Sequence, residues 1–404
     1  MQLEENLVNL SLAGLKKDDE LAEFVHRVVE GKELDRMDYL RLMQGLSLES
    51  LTTVARQVRN RDYAKNKTVT FSKKVFAPVI TYCRDRCRYC GYRRDPGDSG
   101  AWVMKPSEVK ALALKGAKAG CTELLIMSGE RPDYFKEVRH ILRGMGFSSF
   151  MEYIVNLCES ALEAGILPHS NIGIASRKEM AELKKCNPSI GLMLENISER
   201  LTMPGGPHDE APSKNPKIRT KTIETAGELK IPFTTGILIG IGETKLEVID
   251  SLLYIKQVHK KYGHIQEIII QNFRAKKGTP MESHPEPTLE YMMRTIAIAR
   301  IILGSGFNIQ APPNLALKEY PNYLDAGIND WGGVSPITLD YVNPEAPWPM
   351  LRELREKCTI KGYQLKQRLP VYPEYIKHKR DYIHANVLPY VDALADELGY
   401  AKVM

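Results

Sequence analysis

The sequence predicts an α/β chain: a TIM-like parallel (βα) barrel, a six-strand core extended toward eight units, with N-terminal helices before it and a helical C-terminal tail after it. Three observations carry this reading. From about residue 70 onward, short apolar strands alternate with longer amphipathic helices, which argues for right-handed βαβ units and a parallel sheet. One strand is a continuous apolar run, Ile268-Ile269-Ile270, as strands covered on both faces are. Clusters of chemistry-bearing residues follow the predicted strands, and parallel barrels carry their active sites at the carboxyl ends of strands. A doubly wound open sheet is the alternative, but no Gly-x-Gly-x-x-Gly turn follows the first strand.

In chain order, residues 1–67 read as a helical extension. Asp19 to Gly31, Asp35 to Gly45 and Ser47 to Ala64 each repeat apolar residues at three- and four-residue spacing. Ser47 and Glu49, ahead of Leu51, Val54 and Val58, suggest an N-capped start. Residues 68–342 form the barrel. Its predicted strands are Val75 to Tyr82, Glu123 to Met127, Asn171 to Ala175, Gly191 to Leu194, Phe233 to Ile239 and Gln266 to Gln271, followed by Phe307 to Gln310 and Trp331 to Val334. Between them the periodicity predicts helices at Ser107 to Ala119, Phe150 to Ala164, Lys178 to Cys186, Lys217 to Leu229, Lys245 to Tyr262 and Leu289 to Leu303. The proline-rich stretch Asn343 to Pro349 marks a break, and residues 343–404 read as a helical, Tyr- and Lys-rich tail that packs on the barrel as a cover.

At 404 residues the chain can bury a large core. Apolar content of 43% and charged content of 26% are those of an ordinary globular protein. The acidic, polar start Met1-Gln2-Leu3-Glu4-Glu5 reads as neither signal nor transit peptide, and no apolar run is long enough to predict a membrane span. The net charge of +6 is spread among acidic residues except at Lys214 to Lys221, so no nucleic-acid stripe is expected. That one basic run could face an anionic group of a small ligand.

Three of the seven cysteines, Cys83, Cys87 and Cys90, fall within eight residues. Random placement gives a Cys-x3-Cys-x2-Cys triplet a chance of roughly 0.002. A structural zinc site wants four ligands, and the nearest further candidates, Cys121 and His140, have no zinc-ribbon spacing. A disulfide is disfavoured by the odd count. Cys121, Cys158, Cys186 and Cys358 read as core or helix residues. His208 and His284 lie in loops and could serve in acid–base work, but read rather as structural. An ordinary iron–sulfur cluster takes four cysteines; a triplet leaves one iron open to a small molecule.

The triplet, with Tyr89 before its last cysteine, resembles the signature of the radical S-adenosyl-L-methionine (SAM) superfamily. That resemblance implies a 4Fe–4S cluster on Cys83, Cys87 and Cys90, whose open iron chelates SAM and whose electron cleaves it to methionine and a 5′-deoxyadenosyl radical. Further strand ends carry the likeness. Ser128-Gly129-Glu130 is similar to the Gly-Gly-Glu element that holds the SAM amino group, with Ser in place of the first Gly. Glu195 resembles the acid that hydrogen-bonds the SAM ribose or methionine part, and Arg219 the arginine that pairs with its carboxylate. Gly236 to Glu243 resembles the Gly-x-Ile-x-Gly-x-x-Glu element, in which Gly240 and Ile241 lie along the adenine.

From about Thr68 to Pro349 the chain closely resembles the CofG-type subunits of deazariboflavin synthases. The most specific stretches are Cys83 to Arg94, Gly191 to Pro207, Gln271 to Pro280, Ala311 to Leu315 and Gly327 to Pro336. This resemblance implies a ring-closing lyase in coenzyme F-420 biosynthesis. A CofH-type partner radical enzyme joins tyrosine-derived 4-hydroxybenzyl to 5-amino-6-(D-ribitylamino)uracil, and the CofG-type subunit converts the adduct to 7,8-didemethyl-8-hydroxy-5-deazariboflavin with release of ammonia. It also implies an electron donor. Asn272, Arg274, Asn314, Asn329 and Asp330, taken as lying at later strand ends, offer donors and acceptors suited to a uracil edge and a ribityl chain. An oxygen-labile cluster and unpaired thiols fit a cytoplasmic location. Two rivals stand beside this reading: another small-molecule radical SAM barrel, of the biotin synthase, tyrosine lyase or hydrogenase-maturase kind, and a non-enzymatic Fe–S electron carrier or nucleic-acid binder. The second predicts a fourth cluster cysteine or a basic groove, and neither is visible.

Overall fold

The computed structural model describes residues 20–63, 67–316 and 318–402. Met1 to Glu5 and the predicted helix ends Asp19 and Ala64 lie outside the described residues. Eight parallel strands close into a barrel: β1 Thr68–Ile80, β2 Glu123–Ser128, β3 Leu167–Asn171, β4 Ser189–Gly191, β5 Phe233–Ile239, β6 Ile265–Asn272, β7 Ile309–Gln310 and β8 Asp330–Val334. Each pairs with the next, and β1 pairs with both β2 and β8.

Three helices precede the barrel, α1 Glu20–Val29, α2 Arg36–Gly45 and α3 Leu48–Tyr63. The helices of its outer layer are α4 Pro106–Lys118, α5 Lys136–Gly144, α6 Phe150–Glu163, α7 Arg177–Lys184, α8 Pro216–Glu228, α9 Lys245–Tyr262, α10 Leu289–Leu303 and the short α11 Tyr323–Ala326. Helices α2 and α3 pack on α9 and α10. Local chemistry sets the starts: Ser176 with Glu179, and Thr244 with Glu247, close capping boxes at α7 and α9.

The strands alternate in an uncommon sense. On β1, Val75, Ala77 and Val79 are fully buried under the helices, while Lys74 and Phe76 face the barrel interior. On β2 and β6 the inward positions include Glu123, Leu125, Glu267 and Gln271. A closed barrel interior filled only by aliphatic layers would leave no room for a ligand; this one is polar below and hollow above.

The tail holds α12 Leu351–Ile360, a ninth strand β9 Gln364–Arg368, α13 Pro373–His378 and α14 Leu388–Leu394. Strand β9 was not legible as a strand. It pairs in parallel with the first half of β1, Thr68 to Ser72, below the point where β2 takes over the second half. The chain then crosses the amino end of the barrel, where the Pro370 carbonyl accepts from Ser189 Oγ (2.7 Å) and Gln266 Nε2 (2.9 Å). The tail thus closes the barrel floor. Two other differences have local causes. β3 lies four residues earlier than its apolar pattern suggests, because Pro168, His169 and Ser170 spoil the apolar run, and His169 faces the interior. Helix α5 is not among the predicted helices: its apolar face is only Val138, Ile141 and Leu142, within a span of nine residues.

The fold buries neutral histidines, which makes its stability pH-dependent. Burial holds the His264 imidazole down at about 3 and His169 at about 4, against an ordinary 6.5. Because the folded values lie below the unfolded one, their stabilisation is complete above pH 6.5 and is lost as pH falls toward the folded values. Each histidine contributes a slope of about 1.4 kcal/mol per pH unit there. Urea titrations should show the unfolding free energy declining from pH 7 to pH 5, and His264→Gln should make that decline shallower. An unchanged slope in the variant would contradict this assignment.

Candidate active site

The site is built at the carboxyl ends of the strands. After β1 the chain turns through residues 81–94, pinned by Arg94 N–H to the Thr81 carbonyl (2.9 Å) and Tyr92 Oη to the Ile80 carbonyl (3.0 Å). A tight turn, Cys90 N–H to Cys87 O at 3.1 Å, closes the loop around the thiols. The Glu130 amide, at the end of β2, donates to Cys83 Sγ at 3.1 Å. Cys83, Cys87 and Cys90 all line the mouth of one central cavity of about 350 Å³. Burial pushes the Cys83 thiol up to about 12 and Cys87 higher still, so ligation rather than solvent would have to deprotonate them.

Among the described residues no three His, Cys, Asp or Glu side chains converge on a single-ion site.

Around the thiols the predicted residues converge. Ser128, Gly129, Glu130, Glu195 and Arg219 line the cavity with Tyr89. Glu130 accepts from Ile174 N–H (3.0 Å) and lies 3.7 Å from the Arg219 guanidinium. Burial raises its pKa against the pull of Arg219. Arg219 donates to the Met193 carbonyl (2.6 Å), while its buried Nε has no partner. Glu195 sits in the left-handed region at φ 64°, a conformation that a non-glycine residue adopts only when its surroundings hold it there. Its backbone pairs with β5 through Gly236 O and Leu238 N–H, and its carboxylate meets Lys214 Nζ at 2.5 Å. Burial opposes ionisation of Glu195, but Lys214 and Arg219 outweigh it and hold the carboxyl below its usual range.

Gly129 shows why the second residue of the Ser-Gly-Glu element is glycine. A Cβ there would stand 2.0 Å from the Tyr82 carbonyl oxygen, where the β2 end and the cysteine loop are laced together. Gly129→Ala should therefore displace the loop and lower turnover by roughly 100-fold or more, since a shift of about 1 Å at a reacting centre costs that much. The check is product yield beside an unchanged far-UV circular dichroism spectrum; near-normal yield would contradict it.

Other predicted residues stand apart. The Gly240 and Ile241 amides donate to the Glu243 carboxylate (2.8 and 2.9 Å), and from β5 it is Thr234 and Leu238 that line the cavity. Ile241 packs with Leu201, Phe273 and Met281 behind Tyr89. Asn314 lines the cavity, its Nδ2 held by Asp340 (2.9 Å) and the Ala346 carbonyl (3.2 Å). Asn272 is buried beside the cavity without lining it, and Arg274 turns to Glu286 (3.3 Å). Asn329 and Asp330 are corrections. They lie at the start of β8, so they reach the floor and not the mouth, and their polar atoms are committed there. Asn329 holds Arg300 Nη2 (2.9 Å) and Ile309 N–H (2.8 Å), and Asp330 holds Arg368 (2.6 Å).

Three residues of the site were not singled out. Asp85 is buried between the first two cysteines with Oδ2 unpartnered, and its place inside the triplet was the available signal. Lys214 belongs to the basic run. His208, read as structural, pairs with Tyr89 Oη at 3.0 Å and so braces the cysteine loop. The two orphaned polar atoms, Asp85 Oδ2 and Arg219 Nε, give the cavity one unused acceptor and one unused donor beside the thiols. An amino acid's ammonium and carboxylate groups fit that pair, as the methionine part of SAM requires.

Comparison with known proteins agrees with the geometry. The model of the radical SAM superfamily matches residues 78–255. The X-ray structure of the FeFe-hydrogenase maturase HydG from Carboxydothermus hydrogenoformans superposes with a TM-score of 0.66 over 98% of this chain and 96% of its own, at 17% identity, a likeness of fold. Barrel, cysteine loop and superfamily match define a radical SAM enzyme. A 7,8-didemethyl-8-hydroxy-5-deazariboflavin synthase of Methanopyrus kandleri is 48% identical over 336 residues, 83% of this chain and 100% of its own. An FO synthase of Streptomyces avermitilis is 42% identical over 382 residues, 92% of this chain and 44% of its own. The chain belongs to the 7,8-didemethyl-8-hydroxy-5-deazariboflavin synthase family. No helix among the described residues is long and apolar enough to cross a membrane.

Proposed function

We propose that the chain carries out the ring-closing half of deazaflavin synthesis in coenzyme F-420 formation. It converts the tyrosine–diaminouracil adduct, 5-amino-5-(4-hydroxybenzyl)-6-(D-ribitylimino)-5,6-dihydrouracil, to 7,8-didemethyl-8-hydroxy-5-deazariboflavin and releases ammonia. The observation that carries the reading is 48% identity, over 83% of this chain, to a relative of that name, in a chain that sets three thiols over a closed-floor cavity.

Cys83, Cys87 and Cys90 would hold a 4Fe–4S cluster, and Asp85, Glu130 and Arg219 the amino and carboxylate ends of SAM. When bound, this pair supplies a one-electron cleavage of SAM that yields a primary carbon radical. The protein's share is to orient the ligand and keep water out. Glu195, held ionised by Lys214, suits the ribose hydroxyls, and Leu238 with the backbone behind it, Gly240 and Ile241 included, suits the adenine. Asn314, its amide locked by Asp340, presents Oδ1 as an acceptor for a substrate N–H or O–H. Asn272 and Arg274 would act one layer behind it.

The match to the Streptomyces FO synthase covers 44% of that protein; in this reading a CofH-type partner radical enzyme supplies the adduct. An electron donor and a reducing, cytoplasmic setting complete the reading. The test is an anaerobic assay of the cluster-reconstituted protein with SAM, reductant and adduct. Formation of 5′-deoxyadenosine together with the fluorescent deazaflavin supports it. Deoxyadenosine without deazaflavin would move the substrate elsewhere.

A further inference from the structure

We propose that the paired glycines of β8, Gly332 and Gly333, admit Lys74 and Gln310 into the lower barrel, and that this polar floor binds the ribityl chain of the substrate. The inference rests on the substrate class proposed above. It starts from a motif that the cluster chemistry leaves unused, Trp331-Gly332-Gly333. Trp331 is fully buried and donates to Cys358 Sγ at 3.3 Å, so it is a packing residue. The glycines do something else.

A Cβ on Gly333 would lie 1.8 Å from Lys74 Cε and 2.6 Å from its Nζ. A Cβ on Gly332 would lie 2.2 Å from Gln310 Nε2. Two long polar side chains, from the strands on either side of β8, therefore lie across its backbone, and both line the cavity. Lys74 Nζ meets Glu123 Oε1 at 2.9 Å, and His169 and Glu267 line the same lower wall. Lys74 and Arg368 outweigh burial to keep Glu123 ionised, down to about 2, and burial keeps His169 neutral. At neutral pH the floor thus offers an ammonium, a carboxylate, an imidazole and a carboxamide.

The layer above it is of a different kind: Phe76, Leu125, Leu192, Leu238 and Ile269 line the cavity there, and Phe76 stacks on Trp348 with ring centroids 4.9 Å apart. Flat aromatic rings suit that layer. Hydroxyl groups, each both donor and acceptor, suit the mixed floor. The dimensions agree. Six residues of β1 separate Lys74 from Ile80, a rise of about 20 Å along the strand, and a barrel tilt near 40° leaves about 15 Å of depth. A ligand with two rings and a five-carbon polyol fills that depth only with its polar tail pointing down. Pro370 seals the end, so the floor measures chain length.

The experiment compares two probes, 5-amino-6-(D-ribitylamino)uracil and 5-amino-6-(methylamino)uracil, by anaerobic calorimetry on the cluster-containing protein with SAM. The native protein should prefer the ribityl compound by roughly tenfold or more, because buried polar groups left unpaired penalise the truncated one. Lys74→Met should reduce that preference to about threefold or less. Gly333→Ala should do the same by pushing the lysine aside, and it remains informative if Lys74→Met, with Glu123 left unpaired, does not fold. Equal weakening of both probes would place Lys74 on the pyrimidine and overturn the proposal, as would an undiminished preference in Gly333→Ala. If the native protein cleaves SAM yet binds neither probe, the substrate class itself falls, and the floor assignment with it.

Discussion

Replacing Cys87 with alanine is expected to lower 5′-deoxyadenosine formation to about a thousandth of the native rate or less. A catalytic cluster held by three thiolates has no spare ligand, so two leave a second iron open and the cluster labile. Local substitution is not available. Among the described residues the remaining cysteines, Cys121, Cys158, Cys186 and Cys358, are buried and do not line the cavity. Asp85, the nearest carboxylate in the chain, is a hard oxygen donor and a poor replacement for a soft thiolate. The loss should therefore appear in iron and sulfide content as well as in turnover. Cys121→Ala is the matched control: its thiol packs as a small apolar group in the core, and the variant should keep both iron and deoxyadenosine yield. Native iron content in Cys87→Ala with native turnover would remove the triplet from the site.

That outcome would reach far, because the triplet is also what made the site legible. Cys83, Cys87 and Cys90 are adjacent in sequence, so spacing alone exposes them. Ser128 to Glu130, Glu195 and Arg219 each end a strand or open a helix, where a barrel must place its chemistry, and the structure does gather them at one mouth. What spacing cannot show is depth. Asn329 and Asp330 are expected at a later strand end, yet they stand at the start of β8, which runs from Asp330 toward Val334 at the mouth. Polar inward positions mislead in the same fashion: His169 breaks an apolar run and shifts the apparent start of β3. Strand β9 is harder still. Its sequence Gln-Leu-Lys-Gln-Arg has no apolar face, and it exists as a strand because the lower edge of β1 is free to pair with it. Long-range pairing of that kind leaves no local trace.

Arg368 fixes the end of that strand, and Arg368→Leu is expected to destabilise the protein by about 3–5 kcal/mol at neutral pH, the usual cost of breaking a buried pair from one side. The guanidinium is 2% exposed. It donates to Asp330 at 2.6 and 3.0 Å and to Glu267 at 2.7 Å, and it lies 4.2 Å over the Tyr372 ring. Leucine fills the space but leaves two buried carboxylates without their counter-ion. Burial already lifts the Glu267 carboxyl with the arginine present, and losing the guanidinium that opposes this lifts it further. A carboxyl whose folded value is raised is stabilising below its unfolded pKa and loses that contribution as pH rises through the folded value. The deficit of Arg368→Leu should accordingly be largest near pH 7.5 and shrink toward pH 5, opposite to the native protein's own decline in acid. Urea titrations of both proteins at the two pH values measure it. Arg368→Leu combined with Glu267→Gln and Asp330→Asn should recover part of the loss at pH 7.5, because the uncompensated charge has gone while the polar groups keep Thr234 and Thr70 as partners. Equal deficits at both pH values, with no recovery in the triple variant, would mean that arginine holds the tail by packing on Tyr372 and not by charge.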